Sequence, residues 1–293
     1  KNCLIGGQPE FKKPIKNPKI LSNLCNGVYT SSGRSAFQLI LNELKKKKIQ
    51  DLYIPRLICP SITRVAKKNR FNIIKYSVNS NFEPVLNNLK ANSSILLVHY
   101  FGLKINFKNY LKKKKIVIIE DFSHVLDFKK IKYSKNLIFL SLRKLGYLGY
   151  GGWCNLNKKI IKINPAYKIY LIKLNRIRQK KFDYLNTFKR NKIIETNILN
   201  EFSDIEKIID RKFYFNIPEK ELIKNVFYNY NTIKKKRTQN WNYLYKNLNL
   251  FIKKNLFLNN INNFDIPLAF FINIKNRNKF RKKLIMEGIF CPI

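Results

Sequence analysis

Between Val28 and Trp153 the chain alternates short apolar runs with amphipathic stretches. The runs DLYIP, FNIIKYSVN, SSILLVHY, IVII (Ile116–Ile119) and LIFL (Leu137–Leu140) are rich in β-branched or aromatic residues and stop abruptly at polar ones. Such runs read as buried strands. Ala36, Phe37, Ile40, Leu41 and Leu44 instead recur at helical spacing behind Ser31-Ser32-Gly33, which are cap residues. PSITRVAKK and the short, basic INFKNYLKKKK complete the helices of this region. Strand–helix alternation of this kind predicts an α/β fold with a mainly parallel central sheet flanked by helices on both faces.

Beyond Trp153-Cys154-Asn155-Leu156, which reads as a returning strand, the texture changes. Lys158 to Leu185 is helical in pattern and very basic, Thr187 to Ile217 shows no clear periodicity, and Pro218 to Leu248 predicts a long helix opening on a proline and acidic residues. IPLAFFINI followed by NRNKFRKKLIMEGIFCPI reads as strand, helix, strand. The division expected is an irregular N-terminal arm over residues 1–26, a large domain over 27–200 and a smaller domain over 201–293.

Composition narrows the class. Of the 293 residues 45% are apolar and 14% aromatic, enough for a packed core, while the formal net charge is +42. A charge of that size raises nucleic acid as a partner. Yet the lysines run along the whole chain beside abundant Asn and Ile, no nucleic-acid module appears, and the charge is read as compositional drift that favours anionic small substrates. Five cysteines, far apart and without metal-ligand spacing, read as reduced thiols of a cytoplasmic protein. Two histidines, His99 and His124, exclude a His-rich metal site. No apolar run of about 18 residues or more predicts a membrane span, and no signal peptide is expected.

The chemistry gathers at two strand ends. IVII leads into Glu120-Asp121 with His124 three residues on, and LIFL leads into Ser141-Leu142-Arg143-Lys144 and the glycines of LGYLGYGG. Ligands of open α/β sheets bind outside the carboxyl ends of the strands, where an Asp, a His and a Lys can share one crevice. Pyridoxal phosphate needs that set. A buried carboxylate, here Asp121, keeps its ring nitrogen protonated, and a lysine, here Lys144, forms the Schiff base and shuttles the proton. His124 can hydrogen-bond or pack near its phenolic oxygen. For His99 a local structural hydrogen bond is expected.

At these residues the sequence resembles the DegT/StrS-type sugar aminotransferases, pyridoxal-phosphate enzymes of fold type I. Asp121, His124, Ser141, Lys144 and Gly149-Tyr150-Gly151-Gly152 match the pattern in order. Ser141 stands three residues before the lysine where most members have five, and Tyr150 replaces an acidic residue, which marks a divergent SLRK branch. The resemblance implies that the helix start at Gly33, Arg34 and Ser35 binds the cofactor phosphate together with Ser141, Arg34 standing for the usual Thr. It implies transfer of an amino group, from glutamate, to a keto-sugar nucleotide, in a homodimer. It also implies a C-terminal α/β lobe that is incomplete here. Retention of Lys144 argues against the dehydratase branch, which has His there. Two other readings stand beside this one: a catalytically reduced binding or regulatory protein of the same fold, motivated by Tyr150, the shifted Ser141 and the absence of an aromatic in Leu57-Ile58-Cys59, and a basic nucleic-acid-binding protein.

Overall fold

The computed structural model describes residues 5–6, 27–102, 116–126, 135–144, 151–157, 166–187, 191–211, 230–248 and 266–291. An eight-stranded sheet is its centre. In chain order the strands are β2 (Val28–Thr30), β3 (Asp51–Pro55), β4 (Asn72–Val78), β5 (Pro84–Val85), β6 (Ser94–Val98), β7 (Val117–Asp121), β8 (Leu137–Ser141) and β9 (Gly152–Cys154). They lie in the order β2-β9-β8-β7-β6-β3-β4-β5. The block β8-β7-β6-β3-β4 is parallel throughout, whereas β9 runs antiparallel to both of its neighbours. The returning strand expected after the glycines is therefore β9.

Register places the useful groups on one sheet edge. Val98 pairs with Asp121, Asp121 with Phe139, Ser141 with Gly152, and Gly152 with Thr30. Parallel β7 and β8 thus end side by side. The chain leaving β2 turns at the same edge into helix α1 (Gly33–Lys46). Ser32 caps that helix, its Oγ accepting the Ser35 N–H at 3.2 Å, and Lys45 and Lys46 close it with charge that complements the dipole.

Strand side chains alternate between the two faces of the sheet, as its pleat requires, and fill three cores, one of them Tyr53, Tyr76, Ile95 and Leu97 with Leu89. Leu52, Ile54, Leu96, Val98, Ile119 and Phe139 pack with Phe37, Ile40, Leu41 and Leu44 of α1 and with helix α2 (Pro60–Lys68). Ile138, Leu140 and Trp153 point the other way, onto helices α3 (Ala166–Asn186) and α4 (Lys192–Arg211). The contacts Lys180–Glu201 and Tyr184–Glu195 step in opposite directions along α3 and α4, so the two form an antiparallel hairpin. Among the described residues no helix is long and apolar enough to cross a membrane.

Three expectations change. The stretch from Thr187 to Ile217, read as aperiodic, contains α4. IPLAFFINI forms no strand beyond a single bridge residue at Ile272; Leu268 N–H instead bonds the carbonyl of Phe101 at 3.0 Å, fastening the segment to the turn after β6. The N-terminal arm is not wholly irregular, because β1 (Ile5–Gly6) pairs in parallel with β10 (Ile289–Phe290), the strand that follows helix α6 (Arg277–Met286). Of the long helix, Tyr230–Asn247 is present as α5, and the expected start at Pro218 lies outside the described residues. INFKNYLKKKK and Gly149-Tyr150 lie outside them too.

Candidate active site

A cavity of about 440 Å³ opens at this sheet edge, and Gly33, Arg34, Asp121, His124, Ser141 and Lys144 all line it. Residues as far apart as α1 and the turn after β8 meet here because register aligns their strand ends. Ser35 does not reach the cavity. Its hydroxyl lies 3.0 Å from those of Ser31 and Ser32, so it braces the cap from behind.

The Asp121 carboxylate is buried and accepts the Ser123 N–H at 2.8 Å. The Ser123 hydroxyl in turn accepts the Ser141 N–H at 3.0 Å, which ties the ends of β7 and β8 together. Lys144 sits on a short 3₁₀ turn, Leu142–Lys144, and its Nζ lies 2.9 Å from His124 Nε2. Burial lowers the Lys144 pKa against the opposing pull of Asp121, with Arg143 adding to the lowering. Burial, helped by Lys144, depresses His124 to about 3. His124 is therefore a neutral imidazole at neutral pH.

The opposite end is built for an anion. The N-terminus of α1 lies at the cavity, whose wall includes Ser32, Gly33 and Arg34, and a helix start favours an anion through its dipole. A Cβ on Gly33 would come within 2.9 Å of Ser141 Cβ, so only glycine lets the helix start approach the end of β8 this closely. Arg34 and Arg143 both reach the cavity wall, and Glu206 of α4 bridges them, with Arg34 at 2.5 Å. Burial raises the Glu206 pKa, but the two guanidiniums outweigh that and hold it below its ordinary value.

Sequence reasoning missed several wall or supporting residues: Arg143, Glu206, Tyr170, Tyr100 and Phe101. For Phe101 a signal existed in the dipeptide Phe101-Gly102 closing a strand. Both residues have positive φ, at 55° and 87°, and the turn carries Phe101 back over the cavity. Leu57, Ile58 and Cys59 do line the cavity, as the resemblance implies, and the aromatic neighbours come from Tyr100 and Phe101 instead. His99 lies outside the cavity wall. Its Nε2 is 2.7 Å from Glu120, a carboxylate also held by Asn136 at 2.7 Å.

No protein-family model matches the chain, and no curated protein sequence matches it. Solved structures do. NtdA from Bacillus subtilis, with bound cofactor PMP, superposes with a TM-score of 0.58 at 16% identity, over 90% of this chain and 59% of its own. A putative sugar aminotransferase from Streptococcus pneumoniae gives 0.57 at 10% identity, over 98% of this chain and 83% of its own. A sugar aminotransferase from Micromonospora echinospora gives 0.56 at 11% identity, over 90% and 72%. The fold is that of the sugar aminotransferases. In this fold type I architecture the mostly parallel sheet delivers Asp121 and Lys144 to one edge, and β9 returns antiparallel to bring Gly151 and Gly152 against the cap of α1. Gly151 N–H bonds the Ser31 carbonyl at 2.8 Å, and Gly152 packs so tightly on the Ser32 carbonyl that no Cβ fits.

Proposed function

We propose that this chain is a pyridoxal-phosphate-dependent aminotransferase acting on a keto-sugar nucleotide, with glutamate as amino donor. The observation that carries the reading is Lys144: a half-buried lysine with its pKa lowered, 2.9 Å from a neutral imidazole, in one cavity with a buried carboxylate and a helix N-terminus. When bound, pyridoxal phosphate supplies an aldehyde that captures amines and a ring that accepts the electron pair released at the substrate carbon.

The residues fit that group. Asp121 is placed to hold a proton on a ring nitrogen. The α1 N-terminus, Ser32, Ser141 and Arg34 would hold the phosphate, with the small Gly33 leaving room for it. Lys144 is the covalent anchor and the base that takes a proton from the substrate carbon, and His124 stands beside it to orient that amine. Tyr100, whose hydroxyl donates to the Leu57 carbonyl at 2.6 Å, keeps the α2 entry loop against the cavity.

The net charge of +42 supports an anionic substrate such as a nucleotide sugar. Exposed apolar side chains at Leu57, beside the cavity, and at Ile169 and Ile172 of α3 support burial against a second copy. We assign the homodimer on that basis and a cytoplasmic setting on the five widely spaced cysteines, and of the division 1–26, 27–200 and 201–293 we move the second boundary beyond α4, which runs unbroken across residue 200. Absorbance of the protein with added pyridoxal phosphate tests the assignment. A visible band that borohydride fixes, and that Lys144→Ala abolishes, is the expected result. No band in the wild type overturns the enzyme reading in favour of a protein that keeps the fold without the chemistry.

A further inference from the structure

The proton between His124 and Lys144 can be placed by elimination. Phe101 N–H donates to His124 Nδ1 at 3.1 Å, so Nδ1 presents a lone pair. A neutral imidazole has one N–H and one lone pair, which leaves the hydrogen on Nε2. Nε2 lies 2.9 Å from Lys144 Nζ. The hydrogen between them is then the imidazole's, and Nζ must accept it. Only an unprotonated amine has a lone pair to do so; an ammonium would need a ring bearing no hydrogen at all.

We infer that His124, fixed by the backbone of Phe101, is a positioning residue that holds Lys144 as a free amine, ready to attack a carbonyl carbon. The catalytic value of this arrangement rests on the aminotransferase reading, whereas the proton placement does not.

The donor is held rigidly. Phe101 sits at φ 55°, where a non-glycine residue is uncommon, next to Gly102 at φ 87°. A Cβ on Gly102 would run into the Ile266 carbonyl. The Phe101 carbonyl accepts the Leu268 N–H at 3.0 Å, and its ring lies between His124, with centroids 5.8 Å apart and planes at 27°, and Phe271, at 4.5 Å and 24°. The C-terminal segment Ile266–Phe271 therefore clamps the turn whose N–H sets the tautomer. The other charged or titratable groups that act on Lys144 are Asp121 from β7, Cys59 at the start of α2 and its neighbour Arg143. Arg237 of α5 donates to the Lys144 carbonyl at 3.1 Å. Asp121 and Cys59 favour the ammonium, and enclosure and Arg143 oppose them. The Nε2–H donor 2.9 Å away adds to that opposition.

The test uses the full chain without added cofactor. Formaldehyde and cyanoborohydride methylate an amine through its lone pair: a C–N bond forms, the carbonyl oxygen leaves as water, and hydride from cyanoborohydride fixes the product. Peptide mass spectrometry then compares Lys144 with the exposed Lys67 across pH. In the wild type the Lys144 midpoint is expected at least about one pH unit below that of Lys67, a tenfold advantage at equal pH. His124→Asn should move the midpoint back toward Lys67. His124→Gln, whose longer side chain carries its amide N–H to the Nε2 position that Asn does not reach, should restore most of the shift. ¹⁵N spectra of the wild type provide a readout that needs no variant, and hydrogen on Nε2 with bare Nδ1 is expected. Hydrogen found on Nδ1, or a midpoint indifferent to His124→Asn, overturns the inference. Failure of pyridoxal phosphate to load while the low midpoint persists would instead count against the aminotransferase reading alone.

Discussion

At the amine end of the cavity, burial lowers the pKa of both Lys144 and His124, and the inferred proton placement makes them a neutral donor and acceptor 2.9 Å apart. At the anion end, Arg34 is buried more deeply and, as a guanidinium that does not give up its proton, has that charge met by Glu206, which bridges it to Arg143. The two ends are the two answers to one cost. Removing a charge from water is unfavourable, so a group either gives up the charge or finds a partner. Which answer is chosen follows the chemistry, since an amine must be neutral to attack and a guanidinium must be charged to bind an anion.

The largest test of this contrast is acid. His124 has a folded pKa of about 3 against about 6.5 unfolded, so between those values the unfolded chain binds more protons. Stability should therefore fall as pH drops below 6.5 and go on falling toward 3. Roughly 3 kcal/mol separates pH 7 from pH 4 through this group alone. Denaturant melts of wild type and His124→Asn at the two pH values isolate it; equal losses in both proteins would remove His124 as the cause.

At the other end Glu206→Ala leaves a buried guanidinium without its bridge. Loss of one partner from an enclosed pair costs about 3–5 kcal/mol, and since Glu206 is itself 36% exposed, about 2–3 kcal/mol is expected after solvent screening. The same melts at pH 7 measure it. A loss below about 1 kcal/mol would mean that solvent already satisfies Arg34. The depressed Glu206 pKa makes this stabilisation present above the ordinary carboxylate range and lost as pH falls through the lowered value, so the variant should differ least from wild type in acid.

The two ends also differ in how far sequence reveals them. Asp121, His124, Ser141 and Lys144 are legible because each sits where an apolar run breaks, and strand ends are where a parallel sheet presents its ligands. Gly33 and Arg34 are legible from the cap pattern. Glu206 is not, for two reasons. Its helix hides: Ile198, Phe202, Ile205 and Ile208 carry the helical period, but the exposed Ile193 and Leu199 fill the polar face and blur it. Its partner Arg34 lies 172 residues away, and no local pattern encodes a pairing of that range. IPLAFFINI misleads in the opposite sense. A short, continuous apolar run looks like a buried strand, yet here the apolar residues cover the Phe101 turn while the backbone bonds that turn and not a neighbouring strand.

A smaller effect of opposite sign separates the ends again. Lys144→Met replaces an enclosed amine, whose lowered pKa means that protonation works against the folded state, with an apolar chain of similar length. The variant should be more stable than wild type by about 1–2 kcal/mol at neutral pH and inactive. Because the folded pKa lies below the unfolded one, the gain should shrink as pH rises toward the ordinary lysine value, where the wild type no longer resists a proton. Thermal melts from pH 7 to 10 check the sign; a variant less stable than wild type would show that the Nε2–H contact outweighs the cost of enclosure.

The smallest effect comes from a pair that resembles the Arg34–Glu206 contact in distance and in the exposure of its carboxylate, and differs in an exposed cation. Lys180 Nζ lies 2.5 Å from Glu201, about one turn and a half before Glu206 on the same helix, but the two side chains are 43% and 37% exposed. Water screens both partners, and their long side chains lose rotamer freedom to meet. Glu201→Ala should therefore cost under about 1 kcal/mol. Raising the salt concentration should erase the difference from wild type, while leaving most of the Glu206→Ala loss in place. Equal salt sensitivity in the two variants would mean that enclosure of the cation, Arg34 at 7% exposure against Lys180 at 43%, adds nothing to its bridge, because the two carboxylates are exposed alike at 36% and 37%.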